Sequence, residues 1–390
     1  MVKHISAFGA MGNGVDDDTY AFKLSIERQG VALISREDTY KITESIDLQE
    51  QSIIGGGKLY MPATGKHGIV HKGGETVHDY SILGEHDTPF NEVFAVTSVD
   101  GAGGYMNIRT LEIDGFTNGL KIDQDISGAI DMLDVKGVKG NVSGTGYAAL
   151  IAGKDIEIAK LYAKGDRASL NGRHGLYLSA TAQNINVGFV SVQDFVWDGL
   201  TFYAYSHQDG VKNIRIKSVF SENCGGGLQE DGNEAAAVLV GSISVFGKVS
   251  NIDIYDYVVK GSHGTGVLLS AHGILEACDN INFWNGNIQD SQFLGILSKG
   301  AKNCNFYGGL VQDSSHFDRG AYSNIGVMSY WETGIPSDNI NFYGMESKCS
   351  VDGLTRNAAQ INQSTPIPTN TRFLNCDFGS ENFARSPENI

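Results

Sequence analysis

Apolar and polar residues alternate in short runs along most of this chain, and one run recurs: Asn or Asp, an aliphatic, any residue, then an aliphatic or Phe. It stands as Asp155-Ile156-Glu157-Ile158, Asn184-Ile185-Asn186-Val187, Asn213-Ile214-Arg215-Ile216 and Asn251-Ile252-Asp253-Ile254. It continues as Asn280-Ile281-Asn282-Phe283, Asn303-Cys304-Asn305-Phe306, Asn339-Ile340-Asn341-Phe342 and Asn375-Cys376-Asp377-Phe378. Alternation of period two marks a strand with one buried face. Successive starts lie 23 to 38 residues apart, a spacing that belongs to repeat architectures. A second strand, opened by glycine, recurs inside the period: Gly119-Leu120, Gly175-Leu176-Tyr177-Leu178, Gly199-Leu200-Thr201-Phe202, Gly266-Val267-Leu268-Leu269, Gly295-Ile296-Leu297 and Gly326-Val327-Met328. Two or three strands per coil, with coil stacked on coil, predict a parallel β-helix. Uneven spacing fits, because insertions fall in turns and leave stacked strands alone. A blade propeller would keep a more constant repeat and carry a four-strand signature. Cys304 and Cys376 take the isoleucine position, as small core hydrophobes.

Composition agrees. Among 390 residues, 50 are Gly and only 6 Pro, as expected of many short strands joined by glycine and asparagine turns. Glycine does not fall at every third position, which excludes collagen. The formal net charge is −16, and no Lys/Arg cluster supplies the basic face of a nucleic-acid binder. Five cysteines without close spacing argue against a disulfide framework and a zinc knuckle. No apolar run reaches the length of a membrane span. Met1-Val2-Lys3-His4 lacks the apolar core of a signal peptide, so the expectation is release by a route such as lysis, or an export segment already removed.

The opening, Ala7-Phe8-Gly9-Ala10-Met11-Gly12-Asn13-Gly14-Val15-Asp16-Asp17-Asp18-Thr19-Tyr20-Ala21-Phe22, sets a glycine turn and an aspartate before a helix. The aspartate is expected to cap that helix, which would run to about Arg28 and end at Gly30. Tyr20, Phe22, Leu24 and Ile26 would be its apolar material. The segment resembles the "Phe-Gly-Ala-x-Gly-Asp-Gly-x-x-Asp-Asp-Thr" start of pectate-lyase-like β-helix proteins, a group that includes polygalacturonases and many bacteriophage tailspikes and capsule depolymerases. Asn13 stands where aspartate is usual. The resemblance implies an all-β chain, a right-handed single-stranded parallel β-helix with an N-terminal capping helix. The cap would span residues 1–60 and the solenoid 61–390. It also implies a homotrimer on a virion tail or outside the cell, with a bacterial polysaccharide as partner. No cofactor and no membrane insertion are expected.

Glycan-cleaving chemistry needs acids, bases or an Arg/His pair facing outward from neighbouring rungs. Strands of adjacent coils lie ~4.8 Å apart, so aligning Gly175 with Gly199 sets His174 beside Asp198 and Arg173 beside Trp197. Tyr177, Tyr203, Tyr205 and His207 continue the set. The triplet Arg173-His174-Gly175 resembles the Arg-His-Gly of chondroitinase-B-like alginate lyases, where arginine and histidine serve near the substrate carboxylate. That family's calcium ligands have no counterpart here. An alternative reading makes Asp198 a turn cap and His174 its surface partner. The coil from Asn213 to Asn251 carries an acidic insertion with Glu230 and Asp231, either a second carboxylate pair for hydrolysis or a solvated loop. Trp331 falls near the column of Tyr205 and would stack on sugar faces or serve a trimer contact. His67, His71, His78 and His86 have metal-like spacing only on a helix, and their surroundings read as strand and turn, so no metal is expected. The leading expectation is an endo-acting depolymerase cutting a bacterial surface glycan. Asp198 with Glu230 or Asp231 would hydrolyse it. The alternatives are a lyase using Arg173, His174 and a tyrosine on a uronic-acid glycan, and a non-catalytic glycan-binding adhesin.

Overall fold

Asparagine and aspartate tolerate the left-handed backbone conformation better than other residues with a Cβ, and that property sets the corners of this chain. The computed structural model describes residues 2–85, 92–140, 146–168, 172–205, 209–227, 240–271, 277–318, 321–330, 334–350, 357–361, 366–379 and 383–384. It is a right-handed parallel β-helix that divides into two compact units, residues 1–176 with 185–188, and residues 177–184 with 189–390.

In the first unit, one sheet stacks Glu75–Gly84, Gly104–Asp114, Ile126–Lys136 and Lys154–Lys164 in parallel. Their apolar positions align as Ile108, Ile130 and Ile158, and as Leu111, Leu133 and Leu161, all buried. The other sheet stacks Ile46–Leu48, Ile69–His71, Phe94–Ser98, Asn118–Ile122 and Tyr147–Ile151. Gly119 opens its strand because a Cβ there would stand 2.2 Å from the Ala148 carbonyl oxygen of the next coil.

In the second unit, one sheet runs through Val211–Ile216, Val249–Tyr255, Asp279–Gln289, Lys302–Gln312, Asp338–Lys348 and Arg372–Leu374. The motif asparagines open these strands with φ between 50° and 59°: Asn213, Asn251, Asn280, Asn303 and Asn339. Their amides join coil to coil. Asn251 Nδ2 donates to Asn213 Oδ1 at 3.1 Å and Asn280 Nδ2 to Asn251 Oδ1 at 2.8 Å. A second left-handed corner lies mid-strand at Asp256, Asn285, Gly308 and Gly344, and a third after the strand at Asp194, Asn223, Gly261, Asp290 and Asp313. Inside, the last motif position becomes a ring stack. Phe283, Phe306, Phe342 and Phe373 follow one another at 5.0, 4.9 and 4.7 Å. Outside, Tyr255, Trp284, Tyr307 and Tyr343 stack in the same register.

That register corrects the last repeat. Arg372 pairs with Asn341 and Phe373 with Phe342, so Asn370, at φ 54°, is the motif asparagine of this coil. Asn375, at φ 56°, falls in the mid-strand corner instead, because Asp377 bridges Glu346. Cys304 does take the isoleucine slot, paired with Ile340. Cys376 follows Met345 rather than the isoleucine column.

The N-terminal helix, α1 (Thr19–Gln29), ends at Gly30 as expected, but Asp18 makes no side-chain cap. Asp18 is buried and accepts the Met11 and Gly12 N–H groups at 2.6 and 3.2 Å. Asp17 takes the local bonds, from Thr19 N–H at 3.0 Å and from the Thr19 and Thr43 hydroxyls at 2.6 and 2.7 Å. Asn13 Oδ1 accepts from Val15 and Asp16 N–H, a role that an aspartate oxygen fills equally. Phe22 and Ile26 are buried, whereas Tyr20 is 73% exposed, since it lies on the helix face away from the core. Among the described residues no helix is long and apolar enough to cross a membrane.

Two of the four spaced histidines enter the core. His71 Nδ1 bonds Thr76 Oγ1 at 3.1 Å, Thr76 Oγ1 bonds His78 Nε2 at 3.0 Å, and His78 Nδ1 bonds Tyr80 OH at 2.9 Å. Burial lowers the His78 pKa to about 3, with His71 pressing the same way. His86 lies outside the described residues.

Two outcomes follow from this packing. Asn251→Ala should cost about 1–2 kcal/mol in urea unfolding for the left-handed corner alone, with Asn251→Gly recovering that part. His78 stays neutral when folded and binds a proton when unfolded below about pH 6.5, so its stabilisation is complete above that pH and is lost as pH falls toward about 3. His78→Gln should remove roughly one proton's worth of slope, about 1.4 kcal/mol per pH unit, from unfolding free energies measured between pH 6.5 and 5.

Candidate functional site

In the second sheet of the first unit, strand alternation turns Val70, Thr97, Lys121 and Leu150 outward in one aligned row. Beside them stand His67, Phe94, Asn118 and Tyr147. Together these rows wall a cleft of about 560 Å³, with Glu92 and Asp100 at its edge.

Asn118 holds the cleft's frame. It is buried; its Nδ2 donates to the Val93 carbonyl at 3.0 Å, and its Oδ1 accepts the Gly146 and Tyr147 N–H groups at 2.7 and 3.0 Å. The Gly146 carbonyl in turn accepts from Arg173 N–H at 2.7 Å and His174 N–H at 3.1 Å. The His174 ring is buried and stacks on Tyr147 at 5.3 Å and 13°. Arg173 and His174 are thereby tied, through one turn, to a residue that lines the cleft.

The polar centre is Lys121. Its Nζ stands 2.9 Å from Asp123 Oδ1 and 3.9 Å from Asp100 Oδ1. The Asp123 side chain is 7% exposed and that of Asp100 81%. Ser98 Oγ accepts Asp123 N–H at 2.7 Å and bonds Asp123 Oδ2 at 3.1 Å. Burial raises the Asp123 pKa, with the neighbouring Asp100 acting in the same direction, against the pull of Lys121. Burial lowers the His67 pKa, and Lys121 adds to the effect, so this imidazole is neutral near pH 7. Phe94 N–H donates to His67 Nδ1 at 3.1 Å, which leaves the proton on Nε2.

The remaining expected residues lie in the second unit or outside the described residues. Asp198 is buried and accepts from Gly241 N–H at 3.2 Å and from the Ser244 hydroxyl. These bonds tie the Val196-to-Leu200 turn to the next coil. Trp197 is half-buried. Tyr203 gathers Tyr177 at 6.1 Å, Tyr205 at 4.9 Å and Phe246 at 6.1 Å, and Tyr205 is exposed. His207, Glu230, Asp231 and Trp331 lie outside the described residues. His174 belongs to the first unit and Asp198 to the second.

Sequence reasoning passed over Asp100, Lys121, Asp123 and Tyr147. A trace was present in Gly119-Leu120-Lys121-Ile122-Asp123, where the outward position of a glycine-opened strand is charged. Asp100 had no such signal, because the asparagine motif is missing from its coil.

No family model matches the sequence, and no curated protein matches it. Solved structures do match in fold. The Dettilon tailspike protein superposes with a TM-score of 0.62 at 13% identity, covering 96% of this chain and 66% of its own. The chain thus spans just under two thirds of that tailspike's length. The periplasmic alginate epimerase AlgG superposes with a TM-score of 0.55 at 11% identity, covering 89% of this chain and 76% of its own. At such identities the likeness is one of fold.

Removing either buried bracket should show in stability. Asn118→Ala and Asp198→Ala each strand buried N–H or O–H donors, and each should cost about 1–3 kcal/mol in urea unfolding. A variant that melts with the parent protein would show that its bracket is dispensable.

Proposed function

We propose that this protein is an endo-acting polysaccharide depolymerase that binds a bacterial surface glycan in the first unit's cleft and cleaves it by hydrolysis. The cleft carries this reading, because an aromatic wall, a neutral histidine and the Lys121 and Asp100 side chains line one concavity, with Asp123 bonded to Lys121 beside it. Sugars need both kinds of surface: ring faces for their CH groups and fixed polar groups for their hydroxyls. The fold likeness to a tailspike and to an alginate epimerase supports a glycan as substrate, and the tailspike likeness supports a homotrimer at a virion tail or outside the cell. The Tyr177–Tyr203–Tyr205 group of the second unit offers a further surface on which sugar rings could stack.

Hydrolysis is favoured over elimination by the state of Lys121. Its ammonium is engaged by Asp123 and Asp100, so it offsets the cleft's own acids rather than a substrate carboxylate. The second reading, a lyase on a uronic-acid glycan, draws support from Arg173 and His174 on the turn behind Tyr147.

The deciding assay incubates the protein with alginate, polygalacturonate, an α-1,3-glucan and purified capsular polysaccharides. It follows reducing ends and the ultraviolet absorbance of unsaturated uronate in parallel. Reducing ends without new absorbance are expected, and Tyr147→Ala should lower their release about tenfold or more, as expected when a substrate-positioning contact is lost. New absorbance would move the assignment to the lyase. Retained binding without any cleavage would make the protein an adhesin.

A further inference from the structure

We propose that Asp123 sets the substrate class of the cleft: by neutralising Lys121 it makes the cleft take uncharged sugar residues and reject uronic acids. The inference rests on the cleft being the depolymerase site and names what that site accepts. Among the described residues lining the cleft, Lys121 is the one lysine or arginine. A uronate carboxylate entering there finds no second fixed cation, because burial and Lys121 keep His67 neutral.

Lys121 is already paired. Its Nζ stands 2.9 Å from Asp123 Oδ1, the distance of a charge-assisted hydrogen bond. The Asp123 side chain is 7% exposed, and the Ser98 hydroxyl donates to its other oxygen, Oδ2, at 3.1 Å. Ser98 Oγ also accepts the Asp123 N–H at 2.7 Å, so one hydroxyl fixes both the backbone and the carboxylate. Charges attract more strongly where water is excluded. A substrate carboxylate approaching from solvent therefore competes poorly for this lysine.

The exposed acids complete the discrimination. Asp100 and Glu92 line the cleft, and the Asp100 side chain is 81% exposed. With Lys121 balanced by Asp123, their formal charges have no counterion in the lining, and a uronate would lie beside like charge. An uncharged sugar meets complementary groups instead. An ammonium has three N–H donors and a carboxylate only accepts. Lys121 Nζ and Asp100 Oδ1 are 3.9 Å apart, too far for a direct hydrogen bond. Lys121 can thus donate to one sugar hydroxyl while Asp100 accepts from another.

The test compares each uronic-acid polymer of the cleavage assay with its own carboxyl-reduced form, which keeps the linkages and loses the charge. Binding is measured by isothermal titration calorimetry at about 0.15 M salt, where long-range repulsion by the acidic chain is largely screened. The reduced form should bind about tenfold tighter or more, the scale of one mispaired charge. Asp123→Asn keeps the shape and leaves Lys121 unbalanced, so it should narrow that preference about tenfold or reverse it. Adding Lys121→Met to Asp123→Asn should abolish the gained uronate binding, a loss that a merely structural role for Asp123 does not produce. Ser98→Ala loosens the clamp and should shift the preference in the same direction, a second probe if Asp123→Asn does not fold. Glu27→Gln removes the same formal charge from an exposed position on α1 and should change nothing. A parent protein that prefers the uronate form overturns the assignment, as does an Asp123→Asn protein that melts with the parent and keeps its preference. If Tyr147→Ala abolishes binding while Asp123→Asn leaves the preference intact, the cleft stands and the specificity assignment alone falls. If Tyr147→Ala leaves both forms bound as before, or the parent binds neither form of any polymer, the depolymerase reading of the cleft falls and takes the assignment with it.

Discussion

Each coil has to turn its backbone at the same places as the coil before it, and this requirement organises both units. In the second unit the turning residues adopt left-handed conformations at three recurring corners, and the cost of that conformation explains why Asn, Asp and Gly occupy them. Once the corners coincide, the Asn213–Asn251–Asn280 amides bond along the stack and the inward rings fall face to face from Phe283 to Phe373. A one-residue slip would turn these rings to solvent. The polar corners therefore hold the apolar core in register, and the core rewards the corners for aligning.

Outward positions inherit the same register, and chemistry arises there without any local motif. Lys121 and Asp123 come from one coil, the latter just past the end of its strand, Asp100 and Ser98 from the coil before, and Tyr147 from the coil after. Their proximity depends on parallel pairing of Phe94–Ser98, Asn118–Ile122 and Tyr147–Ile151. Buried polar groups reinforce the arrangement. Asn118 spends its amide on three backbone partners from neighbouring coils, fixing the turn that carries Tyr147, Arg173 and His174.

The same logic separates residues that look alike in sequence. Asp16, Asp17 and Asp18 are adjacent, yet Asp16 accepts from Asn13, Asp17 from threonine hydroxyls, and Asp18 from the Met11 and Gly12 backbone. Histidines spaced like metal ligands divide between a hydrogen-bonded chain in the core, at His71 and His78, and the cleft wall, at His67. Asp198 accepts from the Gly241 N–H and the Ser244 hydroxyl.

What the sequence determined alone was the architecture: period-two alternation, a recurring asparagine and glycine-opened strands are local signals, and each follows from the conformation of a few consecutive residues. The helix from Thr19 and its glycine stop were legible for the same reason. The final coil was misread by local pattern, because Asn370 and Asn375 both satisfy the corner requirement and only pairing with Asn341 and Phe342 tells them apart. The cleft was decided by tertiary structure. Register between coils of unequal length determines which outward side chains meet, and burial determines how far each is shielded from water. Neither quantity is a property of any short stretch of chain.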